Sequence, residues 1–125
     1  MTTNIRKFQF AAALTHFFVF LLCTWNALHA PSDALWQAVW FPLFWPDLPA
    51  SIILVLSWIL APKDIADTIE SIFHGIFSTY PYYSFWNFWY LIFLYGVIGT
   101  IWWFYLPNLI MRILKRFNIL REKEA

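Results

Sequence analysis

Asp67, Glu70 and His74 stand three and four residues apart, a spacing that lines their side chains along one stripe of a helix. Two carboxylates and an imidazole so arranged have the donor atoms to hold a divalent cation or to pass a proton. The same three residues also make the wet face of an amphipathic helix, and the set lacks the density of His or Cys that marks a strong metal motif. His16 is the second feature with chemical potential. It lies midway along an apolar run, where an ionisable group is a functional candidate or a polar contact between helices. Thr15 adjoins it, and Cys23 lies two turns further on the same face, too far to share a metal.

Other chemistry is not visible. No nucleophile is paired with a base, and neither a Gly-rich phosphate loop nor paired intramembrane carboxylates occur. Cys23 is the sole cysteine, so an intramolecular disulfide is excluded. A non-enzymatic protein without cofactor or bound metal is the expectation. The formal net charge of +1 offers no basic surface for nucleic acid.

The solvent of these residues follows from composition. Hydrophobic residues make up 62% of the 125, aromatic residues 23% and charged residues only 12%. A water-soluble domain averages about 25% charged residues, and one this small keeps too much surface exposed to hide such apolar content. Lipid is the expected surround. The fold class expected is a small all-α integral membrane protein of two or three transmembrane helices in one domain.

Three apolar runs set the topology. Phe8–Leu28 would rise ~31 Å as a helix, about the thickness of the hydrocarbon layer, with Arg6 and Lys7 before it. A cleaved signal peptide competes, but bulky Leu28 fits poorly before a cut at Ala30, so an uncleaved anchor is expected. Phe85–Leu106 is uncharged, with Trp and Tyr at both ends as an aromatic belt. Gly96 and Thr100 form a small-xxx-small pair on it, widened by Gly99 and flanked by Trp89 and Trp103. This is a packing face for the first run or for a second copy. Pro107 should end or kink this helix. Beyond it, 108–121 reads as a basic amphipathic helix, with Arg112, Lys115, Arg116 and Arg121 toward lipid headgroups.

The middle run, Leu35–Ala61, holds Pro42, Pro46, Pro49 and Asp47. Basic residues flank both chain ends, so the positive-inside bias puts both termini in the cytoplasm and demands an even number of crossings. The proline-broken run is then two short helices dipping into the membrane and returning. A full third span is the alternative. Asp47 is expected at the interface, capping a helix that starts at Pro49. Lys63–Thr79 should be an interfacial amphipathic helix, with Asp64 as N-cap and Asp67 as the acid of a capping box.

The stretches FPLFWPDLP at Phe41–Pro49 and GTIWWFYLP at Gly99–Pro107 resemble small prokaryotic multi-pass membrane proteins of unknown function. Those carry an FP…DxP element before a short apolar helix and a GT-x-WW element in the last span. The resemblance implies a prokaryotic cytoplasmic (inner) membrane location and brings no catalytic residue.

Abundant aromatic surface without a polar site points to a structural or accessory protein. It would bind membrane lipids and associate with a larger membrane assembly, or with itself, through its aromatic and Gly-containing faces. A small channel or transporter subunit, oligomeric around His16 or Gly96, is the alternative. A membrane-bound enzyme using Asp67, Glu70 and His74 is a third reading, which metal content would discriminate.

Overall fold

The computed structural model describes residues 2–31 and 36–124; Leu35, where the middle run was expected to begin, lies outside them. Among the described residues every regular element is helical. Helix α1 spans Thr2–His29, α2 Trp36–Phe44, α3 Leu48–Leu60 and α4 Lys63–Ile76. The last run is π-helical over Phe85–Trp89 and Ile92–Gly99, then continues as α5, Thr100–Glu124. Two helical stretches, Asn4–His29 and Phe85–Asn118, are long and apolar enough to cross a membrane. The protein is a small all-α integral membrane protein.

The two long helices run antiparallel, as three contacts show. The ring of Phe10 meets Phe104 at 5.4 Å, His16 meets Thr100, and Phe20 lies against Gly96. Helix α1 buries one stripe toward this partner and toward α2: Gln9, His16, Phe20, Cys23 and Ala27, at spacings of seven, four, three and four. Its other faces are left to lipid.

Register also fixes the direction of the middle run. Trp40 stacks between Phe20 and Tyr95, at 6.1 and 5.9 Å. Seven residues on, Asp47 meets His16 and Trp103, so α2 runs inward from the C-terminal end of α1 to its middle. Then Ser51 meets Tyr95 and Ser57 meets Tyr90, so α3 climbs back toward the end from which α2 came. The middle run is thus a hairpin folded back on itself against the two long helices. At its break Asp47 is buried against both long helices, while Trp45, Pro46 and Leu48 are exposed. At Ala61–Pro62 the chain turns by 111° between α3 and α4.

Several local expectations change. Helix α4 begins at Lys63 after an N-cap at Pro62, which puts Asp64 inside the first turn rather than capping it, and the helix stops at Ile76. Pro107 does not end the last helix: α5 passes through it. A proline there removes the single bond to the Trp103 carbonyl, a loss one helix tolerates when its neighbours hold it. The basic segment is therefore a continuation of the span, with Arg112, Lys115, Arg116 and Arg121 all exposed; the side chain of Leu120 lies outside the described residues.

Candidate functional site

Asp47 is fully buried and His16 is 3% exposed. His16 projects from the middle of α1, and Asp47 sits in the turn between the hairpin limbs, held there by its N–H bond to the Leu43 carbonyl. His16 Nε2 and Asp47 Oδ2 are 2.6 Å apart. The Trp103 indole N–H donates to Asp47 Oδ1 at 2.7 Å, and the same indole stacks on the His16 ring at 5.8 Å. Three elements thus meet at one carboxylate.

Hydrogen-bond counting sets the proton inventory. The Thr100 hydroxyl donates to the Gly96 carbonyl at 2.6 Å. At its 3.2 Å contact with His16 Nδ1 the hydroxyl oxygen is then the acceptor, which assigns a proton to Nδ1. The short separation between Nε2 and Oδ2 requires one more proton between them. Held by the imidazole it makes an ion pair; held by the carboxylate it makes two neutral groups. Either way the pair sums to zero charge, as an enclosed low-dielectric site demands.

Glycine makes the approach possible. A Cβ on Gly99 would meet the Asp47 carboxyl carbon at 2.9 Å and His16 Cε1 at 3.0 Å, and one on Gly96 would meet Phe20 Cζ at 2.7 Å. A second polar tier lies toward the other end of the hairpin. Ser51 donates to the Phe44 carbonyl at 2.6 Å and contacts the Tyr95 hydroxyl at 3.2 Å, while Ser57 pairs with Tyr90.

The expected site residues fall out as follows. Asp47 occupies the N-cap position of α3 with a proline at its start, yet its side chain makes no capping bond, because His16 and Trp103 take both oxygens. It lies buried at the level of mid-α1, not at the interface. Gly96, Gly99, Thr100 and Trp103 all face α1 or the hairpin turn. Trp89 does not share that face: its indole donates to the Tyr82 carbonyl at 2.8 Å and its ring meets Phe77. The π-helical stretch explains this. Bonds from i to i+5 put more residues in each turn, so a face read at α-helical spacing drifts off by Trp89.

The Asp67, Glu70 and His74 stripe does not converge. Glu70 Oε2 accepts the backbone N–H groups of Phe85 and Trp86 at 3.0 and 3.3 Å, capping the start of the last span from α4. The Trp86 indole donates to the Ala66 carbonyl, His74 rests against Tyr83, and Asp67 is exposed. Among the described residues no group of three or more His, Cys, Asp or Glu side chains is placed to hold a metal ion.

Sequence reasoning missed the pairing of Asp47 with His16, although a signal existed. Each is a lone ionisable group in an apolar run, and such groups in lipid seek one another.

Two long helices clamping a folded-back hairpin through an enclosed polar cluster define the class: a compact helical membrane protein. No family model, no curated protein and no solved structure matches the chain.

Proposed function

We propose that the protein is a structural or accessory membrane component that joins a larger membrane assembly through its outward aromatic and aliphatic faces. The observation that carries this is the distribution of polarity in the hairpin. The carboxylate of Asp47 and the hydroxyls of Ser51 and Ser57 are all bonded inward, whereas Leu48, Ile52, Val55, Leu56 and Ile59 are exposed. A hairpin that does not cross the membrane, yet is pinned by hydrogen bonds on one side, presents a fixed apolar ridge on the other. Small residues let helices approach closely in lipid, but Gly96 and Gly99 are already occupied by Phe20, His16 and Asp47. Association thus falls to the aromatic and aliphatic surface rather than to the glycine-bearing face. The basic residues flanking both chain ends support cytoplasmic termini, and the resemblance of the Phe41–Pro49 and Gly99–Pro107 stretches supports a prokaryotic inner membrane.

A photo-crosslinking residue at Ile52 or Ile59, introduced in native membranes, tests this reading. Adducts of one discrete mass are expected from the hairpin ridge and not from Arg112. A chain that extracts in mild detergent as a monomer, without adducts, would count against it.

One observation favours a second reading, a proton-handling subunit of a transporter or channel: two ionisable side chains lie 2.6 Å apart midway along a span. His16→Ala in sealed vesicles carrying a pH dye separates the two. Loss of proton flux from an active wild-type preparation supports transport; equal, negligible flux in both proteins supports the accessory role.

A further inference from the structure

The hairpin fills the space between the two long helices only from mid-span to the C-terminal end of α1. On the other half, α1 and α5 face each other alone and leave a groove of about 760 Å³. Its walls are Ile5, Phe8 and Ala12 on α1, and Leu106, Ile110 and Met111 on α5. Thr15 and Trp103 line its inner end, beside the His16–Asp47 cluster, while Asn4 and Lys115 line the other.

Length and charge identify the occupant. From Asn4 to Thr15 the groove follows ~17 Å of helix, close to one leaflet of a hydrocarbon layer ~30 Å thick. The volume lies within the range of about 300–1,000 Å³ common to ligand pockets. Lys115 stands where a headgroup would emerge, and Arg6, Lys7, Arg112 and Arg116 are exposed within about a turn of that level. An acyl slot lined by apolar side chains, with Lys115 at its mouth and further cations exposed at that level, matches an anionic phospholipid. We propose that this groove holds one acyl chain of an anionic phospholipid, its phosphate on Lys115. The site does not depend on the accessory reading, since it requires only the membrane fold.

Spin-labelled phosphatidylglycerol and phosphatidylcholine, each as a trace in phosphatidylcholine vesicles holding the full chain, test it. The motionally restricted component should favour phosphatidylglycerol roughly fivefold, the factor expected from one basic contact at the surface. Lys115→Gln should clearly reduce that preference while restriction of phosphatidylcholine stays unchanged. Ala12→Leu, which fills the groove, should reduce restriction of both lipids; if that variant fails to reconstitute, Ala11→Leu at the exposed rim serves instead. Equal restriction of the two lipids overturns the proposal, as does a preference indifferent to Lys115→Gln. Disulfide-linked dimers formed through Ile5→Cys would also overturn it, by seating a second copy in the groove.

Discussion

Asp47 and His16 depend on each other. Removing either leaves one enclosed atom of the other, Asp47 Oδ2 or His16 Nε2, without its partner, a loss of about 3–5 kcal/mol for a buried pair. Removing both takes away the donor and the acceptor together. His16→Ala and Asp47→Ala should therefore each lower the unfolding temperature in mild detergent, and the double variant should fall well short of the summed losses. Strict additivity would show that the two side chains do not interact. Glycines give a paired test of local space. Gly99→Ala would drive a methyl group into the Asp47 carboxylate, and overpacking of this kind costs about 1–3 kcal/mol. Gly75→Ala meets nothing within 4 Å and lies inside α4, so it should stabilise by up to about 1 kcal/mol. Parallel thermal melts check the opposite signs. The histidine was legible as a polar residue in an apolar run, but its partner was not. Asp47 between two prolines has the local pattern of a helix cap, and only the inward course of α2 brings it to His16.

At the scale of elements, the joint between α4 and the last span rests on Glu70. Its carboxylate satisfies two backbone donors that would otherwise be orphaned at the start of the Phe85–Trp89 segment. Glu70→Ala should cost about 1 kcal/mol and speed hydrogen exchange at the Phe85 and Trp86 amides, with little change at Ile98. Uniform exchange rates across the variant and the parent would remove the cap from the account. Apolar runs of about 20 residues made both long helices readable in advance, because span length is a property of local composition. The π-helical turns were hidden. The i to i+5 pattern has no short-range signature, although in the second stretch Gly96 and Gly99 do meet Phe20, His16 and Asp47 closely. Pro107 misled for the complementary reason: a proline weakens one bond, and tertiary contact decides whether the helix stops.

For the whole molecule, the account rests on a hairpin that enters and leaves by the same side. That course is our proposal: charge at the chain ends and prolines in the middle run point to it, and the register of α2 and α3 against Tyr90, Tyr95 and Trp103 is the support the fold adds. It places Thr2 and Glu122 at one end of the molecule and α4 at the other. Cys23 is buried, so single cysteines introduced elsewhere report alone. The most direct measurement is labelling of Thr2→Cys, Asp67→Cys and Glu122→Cys with a membrane-impermeant maleimide in sealed, oriented vesicles. Positions 2 and 122 should label from the same face and position 67 from the opposite one. Labelling of 2 and 122 from opposite faces would mean an odd number of crossings and contradict the re-entrant fold.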